Sequence, residues 1–151
     1  VIKGNTYGYP LAFDIEDKSQ QNLSPQVLNS IIQTFCDTVE EAGYYAAVYT
    51  NLNWVNNRLD ATILKRYDLW LARWGTSPGY DGNFGIWQYS SNGSIPGIAG
   101  RVDLNTSYRD YPAIMQAKGL NGYSSGGEPD DGSNGGSDGG EPQPPTDYKV
   151  G

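Results

Sequence analysis

Apolar residues fall in short dense runs between polar connectors, and their spacing switches between two periods along the chain. Leu11 to Glu16 reads as a buried strand. Asn22 to Ala42 has helical spacing, with Val27, Leu28, Ile31, Ile32, Phe35, Cys36 and Val39 on one face. Ser24 can cap that helix, Pro25 suits its first position, and Gly43 stops it. Tyr44 to Thr50 is a second apolar strand, and Asn53 to Tyr67 a broken helical segment. Further strands are predicted at Asp68 to Trp74, Phe84 to Tyr89 and Arg101 to Leu104, with a last helix at Tyr111 to Lys118.

Strands alternating with helices imply parallel strands joined by crossovers. The strands are apolar on both faces, as in a sheet covered on both sides. Gly75 to Asn83 and Ser90 to Gly100 read as loops, so the later units lack full helices. The expected fold is α/β, an irregular TIM-like β/α barrel of which this chain holds only the C-terminal part. The chain starts at Val1, with a first turn like the tail of an earlier element, so N-terminal truncation is expected.

Composition divides the chain. Ser124 to Pro145 holds Glu128, Asp130, Asp131, Asp138 and Glu141 without a Lys or Arg, among Gly, Ser and Pro. Such a stretch buries too little surface to offset chain entropy, and a disordered acidic linker is expected over 124–145. The expected domains are then a catalytic unit at 1–123 and the start of a second, truncated unit at 146–151. Most of the formal charge of -7 lies in the linker; residues 1–123 carry 11 acids and 9 bases. No basic footprint for nucleic acid is present. No signal peptide or membrane-spanning run is visible, and membrane insertion is not expected. The chain has no His, which excludes His triads and His metal sites, and its single Cys36 excludes an intrachain disulfide. Cys36 reads as a core residue. Twelve Tyr and four Trp supply aromatic faces that suit burial or sugar rings.

The candidate chemistry starts at Phe13-Asp-Ile-Glu16. In a strand, Asp14 and Glu16 project from one face while Phe13 and Ile15 face the opposite layer. Two carboxyls on an otherwise apolar strand repel one another and lose solvent, which separates their proton affinities. A general acid beside a stabilising anion is the equipment of glycoside hydrolysis, with no metal or other cofactor required. The pair alone also fits a strand end whose acids merely reach solvent. Tyr49, then Trp70, Ala72 and Trp74, then Trp87, Gln88 and Tyr89 fall at the ends of successive predicted strands, with Asp103 in the fifth. In parallel β/α barrels that is where active sites form.

Together these segments resemble the family-25 glycoside hydrolases, the bacterial and phage muramidases often called Chalaropsis-type lysozymes. The matching runs are Phe13-Asp-Ile-Glu16, Ala47-Val-Tyr-Thr-Asn51, Leu69-Trp-Leu-Ala-Arg-Trp74, Ile86-Trp-Gln-Tyr-Ser-Ser91 and Gly97-Ile-Ala-Gly-Arg-Val-Asp-Leu-Asn105. The resemblance implies a monomeric lysozyme acting outside the cell or in the cell wall, secreted or phage-delivered. Its partner would be peptidoglycan glycan strands, cut at the β-1,4 bond between N-acetylmuramic acid and N-acetylglucosamine. It also implies Glu16 as general acid, Asp14 as its stabilising neighbour, Asp103 as the acid of the final strand, and Tyr49, Trp70 and Gln88 as cleft residues. The family's opening strand carries a further active-site Asp for which this chain has no segment. A non-catalytic glycan-binding module on a degenerate barrel is the alternative.

Overall fold

The computed structural model describes residues 2–124, so the proposed linker beyond Ser124 and the segment at 146–151 lie outside the described residues. Strand β1 (Leu11–Asp14) leads through a short 3-10 turn (Lys18–Gln20) into helix α1 (Pro25–Glu41). Next come β2 (Ala46–Asn51), the short helices α2 (Leu52–Asn57) and α3 (Ala61–Arg66), and β3 (Asp68–Ala72). The chain continues through β4 (Ile86–Gly93) and β5 (Val102–Ser107) to α4 (Tyr111–Lys118). The five strands form one sheet in sequence order. Among the described residues, no helix is long and apolar enough to cross a membrane.

Local signals set these boundaries. The Ser24 hydroxyl accepts from the Val27 N–H at 3.3 Å and Pro25 opens α1. Gly43 then leaves the helix at φ +83°, a conformation that costs a residue with a Cβ. α4 follows the same grammar: Asp110 accepts from Ala113 N–H at 3.1 Å, and Gly119 ends the helix at φ +62°.

The apolar stripe of α1 is wider than the seam it buries. Leu28, Ile32, Cys36 and Val39 pack with Ile15, Val48 and Trp54 beneath the sheet. Burial pushes the Cys36 thiol up to about 12, which leaves it inert at neutral pH. Val27 and Ile31, expected on the core face, are instead exposed. With Phe35 they border a groove of about 650 Å³ beside Phe13. Phe13 and Phe35 stack there at 4.7 Å between ring centroids.

β1 to β4 are parallel, as the alternating pattern predicts. β5 is not: it runs antiparallel to β4, and Ser90 to Gly93, expected as loop, belong to β4. The reason is length. Only residues 94–101 connect the two strands, fewer than the dozen or so that a crossover requires. The β3 ladder ends at Gln88, with Gly75 N–H still reaching Tyr89 O at 3.1 Å. Ser90 to Gly93 therefore pair with β5 alone and stand about 14 Å proud of the sheet. Two register shifts twist this overhang.

The opposite end of the sheet's inner face is closed by a polar cluster. Asp68, 2% exposed, accepts from the hydroxyls of Tyr111 at 2.5 Å and Tyr45 at 3.2 Å, and pairs with Arg109 at 3.4 Å. A side chain at Gly85 has no room, since its Cβ would sit 1.8 Å from the Tyr111 oxygen. Burial first, then the Asp68 charge, raises both tyrosine hydroxyls above their ordinary value. The folded state thus keeps protons that the unfolded chain releases near pH 10. The associated stability is complete below about pH 10 and falls as pH rises beyond it. Urea midpoints measured from pH 8 to 11.5 should show that fall, and Tyr111→Phe should blunt it. A flat profile in the wild type would refute the linkage.

Candidate active site

The acids sit where β1 runs out. Asp14 is its last residue and pairs in register with Tyr49 of β2. The ladder continues one step further, with Ile15 N–H donating to Tyr49 O at 3.0 Å and Thr50 Oγ1 donating to Ile15 O at 2.6 Å. Ile15 is fully buried under the sheet, which turns Asp14 and Glu16 to the inner face. Glu16 is half-buried, and its Oε2 accepts from Asn51 Nδ2 at 3.0 Å.

Glu16, Tyr49, Asn51, Ala72, Arg73 and Trp74 border a cleft of about 380 Å³. Gln88 is buried beside it at 3% exposure. Its Oε1 accepts from both the Tyr49 hydroxyl at 3.2 Å and the Trp74 indole N–H at 3.0 Å. Two donors on one oxygen fix both rings, so Gln88 holds the aromatic wall in place. Tyr49 meets Trp70 edge to face at 5.3 Å, and the Trp70 indole N–H is committed to Asn105 Oδ1 at 2.8 Å. Trp74 stays 65% exposed with its N–H anchored, a broad apolar face at the mouth of the cleft.

Asp103 lies on β5, two residues from Asn105, and is exposed. Because β5 is antiparallel, its early residues lie at the same end of the sheet as the C-terminal ends of β1 to β4. The Tyr49 hydroxyl reports that gathering. Its pKa is raised by burial first and then by Glu16, with smaller contributions from Asp14 and Asp103, while the bond to Gln88 opposes the rise. All three acids singled out in the sequence thus act on one phenol. Asp14 is itself raised above the ordinary Asp value, by loss of solvent, then by Glu16 and Asp17. Trp87 and Tyr89, expected at a strand end beside Gln88, lie within β4 on the opposite face from it. The Trp87 indole N–H there donates to Arg73 O at 2.8 Å.

Asn51 and Asn105 are site residues that the sequence did not single out, and Trp74, placed there at a strand end, carried no cleft role. All three lie inside the runs quoted above, and Asn105 faces Gln88 in the β4–β5 register.

The sequence model of Glycosyl hydrolases family 25 matches residues 1–98. The chain belongs to this family. The autolytic lysozyme of Clostridium acetobutylicum is 32% identical over 105 residues, covering 69% of this chain and 32% of that protein. The CTP1L endolysin superposes with a TM-score of 0.59 at 25% identity, over 78% of this chain and 41% of its own. The modular autolysin LytC of Streptococcus pneumoniae, solved with a synthetic peptidoglycan ligand, gives 0.56 at 28% identity, over 64% and 25%. This chain therefore spans less than half the length of each of these family-25 relatives. Its curled sheet is the corresponding part of their irregular barrel.

Proposed function

We propose that the protein is a lysozyme that hydrolyses the β-1,4 bond between N-acetylmuramic acid and N-acetylglucosamine in peptidoglycan. The supporting observation is a cleft in a family-25 chain that joins Glu16 to Tyr49 and Trp74, with the charges of Asp14 and Asp103 felt at the same phenol. Glu16 protonates the glycosidic oxygen as the bond to the anomeric carbon breaks. Asp14 and Asp103 supply negative charge beside the developing cation. Tyr49 and Trp74, both held by Gln88, and Trp70, edge-on to Tyr49 and held by Asn105, form the wall against which sugar rings lie. Digested peptidoglycan, reduced with borohydride and hydrolysed, should yield muramitol. Glucosaminitol in its place would overturn the assignment.

The substrate's own N-acetyl oxygen is the proposed nucleophile. Direct displacement with retention wants carboxyls ~5–5.5 Å apart across the bond. Asp14 and Glu16 are two residues apart along one chain, with Cα atoms ~6.5 Å apart and side chains on one side. In the assisted route the acetamido oxygen bonds to the anomeric carbon, and the leaving oxygen takes the Glu16 proton. Glu16 then removes a proton from the water that reopens the ring. A slow fluorinated substrate should leave no covalent sugar in intact-protein mass spectra, and a thiazoline mimic should bind tightly. A sugar adduct on Asp14 would refute assistance while leaving the lysozyme reading intact.

A further inference from the structure

Asn51 occupies a junction that the acid–base scheme leaves unassigned. It is the last residue of β2 and also the cap of α2. Its Oδ1 accepts from the Trp54 N–H at 3.2 Å, one of the orphan donors at the start of that helix. An amide has one oxygen and one nitrogen, so committing the oxygen to the helix aims the NH2 the other way. That NH2 donates to Glu16 Oε2 at 3.0 Å. The neighbouring Thr50, fully buried, holds the main chain just before Glu16 through its bond to Ile15 O. Two adjacent residues of β2 thus grip the end of β1, one by backbone and one by carboxylate.

We infer that Asn51 is a positioning residue for the acid: the α2 cap locks its amide, and the amide locks one Glu16 oxygen, leaving the other to carry the proton to the glycosidic bond. This rests on Glu16 being the general acid.

Capping and donation are separable by substitution. Ser and Asp cap helices as well as Asn does, but neither offers an NH2 to Glu16. In the complete protein, Asn51→Ser and Asn51→Asp should melt close to the wild type, with Asn51→Ala lower. Both capping variants should lose at least tenfold in kcat with little change in KM. Wild-type kcat in Asn51→Ser, with its melting temperature unchanged, would leave Asn51 a helix cap only and overturn the inference. Retained activity in Glu16→Gln would remove the acid itself, a failure of the underlying reading that this control detects separately.

Discussion

Glu16→Gln is expected to lower release of reducing ends from peptidoglycan by ~10²–10⁴-fold, the usual worth of a positioned general acid. The substitution keeps size and the acceptor oxygen that faces Asn51, so the cleft stays formed and only the transferable proton is lost. Substrate affinity, measured by pull-down on insoluble cell wall, should change little. Asp14 cannot stand in, because it pairs with Tyr49 one step back along β1 and has the shorter reach. Turnover within a few-fold of the wild type would remove Glu16 from the mechanism. The same outcome would favour a glycan-binding role for the cleft.

The second large effect concerns stability. Asp68→Ala should destabilise the domain by about 3–5 kcal/mol, since breaking a buried charge network strands its partners. Three groups lose their acceptor together: the hydroxyls of Tyr45 and Tyr111, and Arg109. Arg109 keeps a bond to Asn83 Oδ1, which softens the loss without abolishing it. Asp68→Asn should cost less, because one oxygen still accepts. Equilibrium urea unfolding separates the cases, and a midpoint for Asp68→Ala equal to the wild type would show that the cluster contributes nothing net.

Much of this molecule was legible in its pattern. The cap, length and stop of α1 lie in Ser24, Pro25 and Gly43, and α4 was read to the residue, because helix termini are written in local chemistry. The D-x-E pair was legible because strand parity alone puts Asp14 and Glu16 on one face. Failures came where the answer depends on a distant partner. Period 3.6 places Val27 and Ile31 beside Leu28 and Ile32, but cannot say which flank of a wide stripe another layer covers. The β4–β5 hairpin was missed because the loop expected at Ser90 to Gly100 is close to the length of a short crossover, whereas the strands extend into it and leave only residues 94–101 between them. Gln88 reads as a polar strand-end residue until two donors from different elements are seen on its oxygen. Asn51 sits 35 residues from Glu16, and no sequence spacing announces that contact.

The antiparallel turn of the sheet also distributes entropy unevenly across the cleft. The innermost hairpin pair, Gly93 with Val102, is nine residues apart, whereas Leu11 and Ala46 are separated by 35. Loop closure grows as (3/2)RT ln n, so joining β1 to β2 costs about 1 kcal/mol more than closing the hairpin. The strand that leads into Asp14 and Glu16 is thus held by the sheet's most expensive closure, and the β4–β5 overhang by its cheapest. Thr50 and Asn51 grip the chain at that costly seam, where a modest loosening would unfasten chemistry before it unfastened shape.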